Sequence, residues 1–312
     1  MTTSDEERHR APIFNIQRFS IQDGPGIRTT VFFKGCPLRC VWCSNPESQR
    51  SAPEVAHRQS LCVACGECAK ACPQQAITFV PGEKGPRYLL DRTKCVACGT
   101  CVQACTAGAL RIYGQVMTVE EVFDEIKRDA DFYEKSEGGV TASGGECLLQ
   151  ADFVAALFRL CHGEGFHTTI DTCGYGTEKD LEKVLAETDL VLFDLKVMDS
   201  AEHEKLTKQH NEVILRNARL AATKSLPIIF RTPIIPGMTD SEKNLDAIAR
   251  FVAGLDCDKR IDILPYHRFG EGKYTMLGRV YEMGNVAAPG DDEMRRILEV
   301  FKQYNIECEI QE

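Results

Sequence analysis

Residues 30–43 read TVFFKGCPLRCVWC, a short β-branched and aromatic run followed by three cysteines spaced Cys36-x-x-x-Cys40-x-x-Cys43. The run at 30–34 predicts a strand. The cysteines follow it with no helix between, which places them at the strand's C-terminal end. On α/β scaffolds that is the end where active sites are built. Three thiolates on an iron–sulfur cubane leave one iron with an open position. A closed electron carrier does not need that position; a catalytic cluster does. The open iron could chelate the amino and carboxylate groups of an amino-acid-like ligand. Spacing alone also leaves standing a zinc site with a distant fourth ligand, such as a histidine.

Downstream of residue 115, short β-branched runs alternate with amphipathic stretches. Strands are expected at 140–143, 167–172, 190–196, 228–235 and 261–267, and helices near 118–135, 150–163, 177–187, 211–225, 240–254 and 291–303. Thr118 with Glu121, and Thr177 with Asp180, have the spacing of N-terminal capping boxes, Asp180 replacing the usual Glu or Gln. Six strands each followed by a helix predict an α/β fold with a parallel sheet. Right-handed crossovers would curl that sheet into a barrel or an open barrel.

The alternation breaks between about 54 and 113, where a repeat appears: CVACGECAKACPQQAITF at 62–79 and CVACGTCVQACTAGALRI at 95–112. Neither copy is long enough to bury a core, so an inorganic cluster must hold it. Cys62-x-x-Cys65-x-x-Cys68-x-x-x-Cys72-Pro73 is the bacterial ferredoxin run, in which the fourth cysteine serves the other cluster. Crossed ligation gives one [4Fe-4S] set of Cys62, Cys65, Cys68 and Cys105, and a second of Cys72, Cys95, Cys98 and Cys101. Thr106 replaces the proline of the second copy. Paired structural zinc sites are the alternative for four thiolates, but the duplicated spacing follows the ferredoxin rule in full. The expected segments are therefore 1–53 for the first part of the barrel, 54–113 for the inserted ferredoxin-type domain and 114–312 for the rest of the barrel.

Sixteen cysteines in 312 residues is the outlying feature of the composition, and eleven of them fall in these three groups. Cys147, Cys161, Cys173, Cys257 and Cys308 are scattered and read as packed or free thiols. The segment MTTSDEERHRAP is polar rather than a secretory signal, and no apolar run approaches the ~18 residues of a membrane span. A cytoplasmic protein with no membrane partner is expected, and in that compartment a disulfide framework is not. The net charge of −9 argues against a nucleic-acid partner held through phosphates.

The CxxxCxxC after the first strand resembles the hallmark of the radical S-adenosylmethionine (SAM) superfamily. More closely, DGPGIRTTVFFKGCPLRCVWCSNPE at 23–47 resembles the activating enzymes of glycyl-radical enzymes. The resemblance runs from about residue 13 to 270, and the insert groups the chain with the larger activases. It implies an open (β/α)6 partial TIM barrel with an inserted ferredoxin-like domain carrying two [4Fe-4S] clusters. Matching motifs recur at strand ends: Gly144-Gly145-Glu146, Asp171-Thr172-Cys173-Gly174, Asp194-Leu195-Lys196, Arg231, Pro236-Gly237, and His267 in LPYH. Cys147 stands where the family often has proline.

By this resemblance Trp42, Cys43 and Ser44 lie against SAM, and the backbone of Gly144, Gly145 and Glu146 meets its amino group. Asp194, Leu195, Lys196, Arg231 and His267 help to hold it. Asp171 and Asp194 can bind a monovalent cation beside its carboxylate, and the loop of Asp23 faces an incoming glycine peptide. The implied chemistry is reductive cleavage of SAM at the Cys36, Cys40 and Cys43 cluster. The resulting 5′-deoxyadenosyl radical takes hydrogen from a backbone glycine of a cognate glycyl-radical enzyme. Three [4Fe-4S] clusters and SAM are the implied cofactors, and ferredoxin or flavodoxin the electron donor. A C–heteroatom lyase of the isethionate or choline type is the expected partner. Two other classes fit parts of the pattern: an iron–sulfur electron-transfer subunit, and a radical SAM enzyme acting on another substrate.

Overall fold

A computed structural model describes residues 9–83 and 85–311; the polar segment 1–8, expected not to be a secretory signal, lies outside them. Strands β1 (Arg10–Ser20) and β2 (Arg28–Phe33) come first. In the cysteine-rich stretch lie β3 (Glu54–His57), β4 (Ile77–Val80), β5 (Arg87–Leu90) and β6 (Leu110–Tyr113). Then follow β7 (Gln115–Thr118), β8 (Gly139–Gly144), β9 (His167–Thr172), β10 (Leu190–Asp194), β11 (Ile228–Ile234), β12 (Arg260–Pro265) and β13 (Glu307–Ile310).

The main sheet has nine strands in the order β13-β12-β11-β10-β9-β8-β2-β1-β7 and does not close on itself. From β2 to β13 every neighbouring pair is parallel, while β1 and β7 are antiparallel additions. The open α/β sheet expected from the alternation is present, with one more parallel strand than anticipated. That strand, β13, reads ECEI and buries almost nothing, so it carries no apolar pattern to detect. Strand β1 was also not anticipated. Its pairing to β2 is irregular between Ile13 and Asn15 and between Gln17 and Ser20, which spoils the two-residue alternation.

Helices cover the sheet wherever an apolar face recurs at helical spacing. Val119–Lys127 buries Val119, Val122, Phe123 and Ile126, and both bonds of the Thr118–Glu121 capping box are made. Sequence spacing predicts one helix over 118–135, but the structure has two, Val119–Lys127 and Ala130–Ser136. The break lies at Asp129, which is buried and whose carboxylate accepts from Arg18 Nε at 2.8 Å and Thr29 Oγ1 at 2.9 Å. Holding that charge against the sheet pulls the backbone out of helical geometry. At Thr177 the hydroxyl accepts from the Asp180 amide at 3.1 Å, a one-sided form of the expected box. The core is rich in phenylalanine: Phe33, Phe153, Phe158, Phe193, Phe230 and Phe301 are fully enclosed. Each such ring contributes about 1.5–3 kcal/mol by leaving water.

The cysteine-rich stretch forms two small antiparallel pairs, β3 with β6 and β4 with β5. A short helix follows each cysteine loop, Glu67–Ala71 in the first copy and Thr100–Gln103 in the second. Among the described residues no helix is long and apolar enough to cross a membrane.

Candidate active site

Strand registers bring the C-terminal ends of the parallel strands to one rim. Phe33 lies opposite Gly144, Phe193 opposite Thr172, Asp194 opposite Arg231, and Ile234 opposite Pro265. A cleft of about 230 Å³ opens at this rim. It is lined by Cys36, Cys40, Trp42, Cys43 and Ser44 from the loop after β2. Gly144, Gly145, Asp171, Asp194, Lys196 and His267 line it from the strand ends.

The cysteine loop is held by its backbone. Gly35 N donates to Ser48 O at 2.6 Å, Arg39 N to Thr207 O at 2.7 Å and Val41 N to Leu206 O at 3.1 Å. The glycine pair after β8 is equally constrained. Gly145 N donates to Phe33 O at 2.9 Å and Glu146 N to Gly35 O at 2.8 Å. A Cβ on Gly144 would meet Phe33 N at 2.3 Å, and one on Gly145 would meet Gly35 O at 2.2 Å. Only glycine lets this turn lie so close to the start of the cysteine loop.

Three predicted residues do not line the cleft. Leu195 is packed into the main core. Glu146 is fully enclosed, and its carboxylate accepts from Thr172 Oγ1 at 2.7 Å, Cys173 N at 2.9 Å, Cys173 Sγ at 2.8 Å and Leu148 N at 2.9 Å. Its side chain therefore ties the turn after β8 to the end of β9. Arg231 lies beneath the rim and donates to Asp171 Oδ1 at 3.2 Å. Asp171 Oδ2 accepts from Ser143 Oγ at 2.6 Å, and Asp194 Oδ2 accepts from Lys196 Nζ at 2.6 Å. Each of the two aspartates thus already has a cationic partner. Burial pushes the Asp171 carboxyl up to about 6, against the opposing pull of Arg231. Burial opposes the Lys196 charge, but Asp194 together with the neighbouring Cys40 and Cys173 outweighs it and the ammonium is held above its ordinary range.

Sequence reading passed over Ser143, Tyr266 and Cys173 as site residues, yet all three line the cleft. By its spacing Cys173 reads as a scattered thiol, although it sits in the strand-end motif Asp171-Thr172-Cys173-Gly174, which is the signal that marks it. Tyr266 had the same signal in LPYH. Ser143 had none beyond ending its strand.

The loop of Asp23 lies at the other end of the sheet, where Gly24 and Pro25 line a cavity of about 780 Å³ together with His167, Leu190, Ile228 and Arg260. Asp23 Oδ2 accepts from Ser20 Oγ at 2.6 Å and Thr30 Oγ1 at 2.7 Å. The enclosed Arg28 fastens the loop by donating to Pro25 O at 3.0 Å, Thr141 Oγ1 at 2.7 Å and Thr169 Oγ1 at 2.8 Å.

The three cysteines of the rim suit a metal cluster. Burial pushes all three thiols up, Cys40 to about 12, so they would stay protonated at neutral pH without a coordinated cation. The two insert loops also suit one. Ala64 and Ala97 both take left-handed backbone angles, φ 55° and 52°, as do Gly66 and Gly99 at 79° and 85°. Such alternation turns successive amides inward, the nest geometry of anion and iron–sulfur sites. Ala76 N donates to Cys72 Sγ and Ala109 N to Cys105 Sγ, both at 3.3 Å, in equivalent positions of the two copies. Cys62, Cys65, Cys68 and Cys105 line one small cavity. No three His, Cys, Asp or Glu side chains among the described residues converge as a single metal ion would require.

Comparison with known proteins gives a consistent picture. Residues 92–248 match the radical SAM superfamily, and residues 61–109 a 4Fe-4S dicluster domain. The chain is 41% identical to the indoleacetate decarboxylase activating enzyme of Tractidigestivibacter scatoligenes, over 98% of each chain. It is 43% identical to the (2S)-3-sulfopropanediol sulfolyase activating enzyme of Bilophila wadsworthia, over 94% of this chain and 96% of that one. It is 40% identical to the choline trimethylamine-lyase activating enzyme of Oleidesulfovibrio alaskensis, over 95% and 96%. A solved domain of a pyruvate-formate lyase-activating enzyme from Bacteroides vulgatus is 30% identical, covering 55% of this chain and 98% of that one with a TM-score of 0.47.

Proposed function

We propose, from the premise that this chain belongs to the radical SAM activating enzymes of glycyl-radical enzymes, how its own residues divide the work of that activity. The enzyme uses [4Fe-4S] clusters and SAM, and its substrate is a partner polypeptide. Bound at the rim, a [4Fe-4S] cluster and SAM would supply the one-electron chemistry by which the partner's glycine loses a hydrogen atom.

Cys36, Cys40 and Cys43 hold that cluster. The observation that carries this is their convergence on the rim cleft with Asp171, Asp194, Lys196 and His267. Trp42 and Ser44 wall the ligand, and the backbone of Gly144 and Gly145 meets its amino group. In this reading Lys196 and His267 contact SAM, while Arg231, Glu146 and Leu195 act from behind. Arg231 orients Asp171, Glu146 braces the Gly144-Gly145 turn, and Leu195 packs the base of the rim. A monovalent cation at Asp171 and Asp194 would have to share those carboxylates with Arg231 and Lys196. The partner's glycine loop approaches past Asp23 on its way to the cleft. No proton-transfer pair is needed, because one hydrogen atom is all the partner loses.

The segments 1–53, 54–113 and 114–312 serve as barrel start, insert and barrel remainder. The pairing of β3 with β6 supports the middle boundaries by closing the insert at its base. Crossed sets of Cys62, Cys65, Cys68 and Cys105, and of Cys72, Cys95, Cys98 and Cys101, hold two further clusters. Cys65 and Cys98 are exposed, so both clusters offer an edge to a ferredoxin or flavodoxin donor. The location is cytoplasmic. The partner is a C–heteroatom lyase, although relatives named for a decarboxylase and for lyases are about equally similar.

Mixed anaerobically with its cognate enzyme, SAM and reductant, the protein should produce a glycine-centred radical seen as a doublet by electron paramagnetic resonance. Deuterium at that glycine's Cα should appear in 5′-deoxyadenosine. Label retained on the partner while 5′-deoxyadenosine accumulates would contradict direct abstraction.

Three cubanes require about twelve irons per chain. Iron and sulfide counting after anaerobic reconstitution checks this. A plateau near one-third of that value, with zinc in the insert, would refute the two insert sets.

A further inference from the structure

The two insert clusters sit in duplicated loops, but the side chains beside them are not duplicated. His57 ends β3, and its ring stacks on that of Tyr88 in β5, with centroids 4.0 Å apart and planes inclined by 22°. Nε2 of His57 and the hydroxyl of Tyr88 are both buried, and neither has a hydrogen-bond partner. An unmatched buried polar group is destabilising, so two side by side call for an acceptor.

Both side chains line the cavity that Cys62, Cys65, Cys68 and Cys105 line. Its other side chains, those of Val63, Ala64, Phe79, Ala107, Ala109 and Leu110, are apolar. Sulfur is therefore the side-chain acceptor available there. The sulfurs of a [4Fe-4S] cluster in that cavity would carry the negative charge that N–H and O–H donors seek.

The repeat provides an internal control. Cys62 and Cys95 begin the two copies, so equivalent positions differ by 33 residues. His57, five residues before Cys62, corresponds to Leu90, five before Cys95. Tyr88, seven residues before Cys95, corresponds to Val55, seven before Cys62. When the two halves of the insert are exchanged, both donors become aliphatic. Val55, Leu90 and Tyr88 share the small core of the insert with Cys68, Cys72, Cys95, Cys101 and Cys105, so it is the cavity lining that sets His57 and Tyr88 on the first ligand set.

We infer that His57 and Tyr88 donate hydrogen bonds to the sulfurs of the [4Fe-4S] cluster held by Cys62, Cys65, Cys68 and Cys105, and so raise its reduction potential above that of its duplicate. This rests on the crossed ligand sets proposed above. Reduction adds negative charge to the cluster sulfurs, and a donor aimed at them stabilises the reduced form. Hydrogen bonds to sulfur and solvent exposure are the usual settings of such potentials. Cys65 and Cys98 are both exposed, so exposure does little to separate the two clusters, and the duplicate has one exposed hydroxyl, Thr100 Oγ1 at 3.4 Å from Cys98 Sγ, against the two buried groups here. An electron delivered to the insert would then settle on this cluster before moving on.

The test is a redox titration of the reconstituted full-length protein, followed by electron paramagnetic resonance, for wild type, Tyr88→Phe, His57→Leu and His57→Gln. Tyr88→Phe and His57→Leu should each make reduction of one insert cluster about tenfold less favourable, a fall of about 59 mV for a one-electron couple. The other two couples should stay in place. His57→Gln keeps an N–H donor and should recover most of the shift. Cys65→Ala should remove the couple that Tyr88→Phe moves. Unshifted potentials in variants with the wild-type iron content would overturn the donor role and leave the ligand sets intact. A shift in the couple that survives Cys65→Ala would assign the donors to the other cluster and overturn the proposal. A wild-type insert that binds no iron would overturn the ligand sets and the donor role together.

Discussion

Cys36→Ala, Cys40→Ala and Cys43→Ala should each lower 5′-deoxyadenosine formation to background with dithionite as reductant. These thiols line the rim cleft, the fourth thiol there, Cys173, is engaged by Glu146, and a three-thiolate site has none to spare. Cys65→Ala and Cys98→Ala should behave differently. Both thiols lie in the insert and neither lines that cleft, so a chemical reductant that reaches the rim directly bypasses them. Measurable SAM cleavage should survive both changes, while cleavage driven by a protein electron donor should drop sharply. Circular dichroism would show whether each variant keeps its fold. Equal and complete loss in both groups, with folding intact, would refute this division between rim and insert.

Glu54→Gln should cost about 3–5 kcal/mol, the range for removing one partner of a buried ion pair. Glu54 lies on β3 with 3% of its side chain exposed. Its carboxylate accepts from Arg279 Nη2 at 2.7 and 2.9 Å and lies 3.6 Å from both Lys34 Nζ and Arg92 Nη1. Lys34 is fully enclosed at the end of β2, and burial already depresses its pKa. The partly exposed Arg50, at 3.7 Å, contributes less. One carboxylate thus joins the insert, the strand leading to Cys36 and the C-terminal segment after Glu271–Met276. Glutamine preserves the shape and removes the charge, leaving Lys34 and Arg279 without their main counter-ion. A fall in melting temperature of about 5–8 °C is expected for a chain of this size. A fall below about 2 °C would mean that Glu47, beside Lys34, carries the balance instead.

The same carboxylate shows where reading the sequence stops. Glu54 has no motif around it, and its three close cations come from positions 34, 92 and 279. Nothing local marks such a group, because its partners meet only when the insert packs onto the barrel. His57 and Tyr88 are similar: one precedes the first cysteine run, the other the second, and only the nested pairing of the small strands stacks them.

What the sequence determined by itself is whatever local spacing imposes. The interval between Cys36, Cys40 and Cys43, the duplicated ferredoxin run, and the strand–helix alternation after residue 115 follow from covalent reach and from periodicity along the chain. So do the strand-end motifs, since a parallel strand delivers its last residues to one rim wherever it lies in the sheet. The tertiary structure alone decided which of those residues face the cleft. Lys196 reaches it, while Leu195 turns into the core and Glu146 spends its carboxylate on the end of β9. It also decided that the Asp23 loop lies at the mouth opposite the cysteines, because β1 runs antiparallel to β2 and returns the chain to that end. Direction and depth depend on long-range pairing and packing, which residue spacing along the chain does not encode.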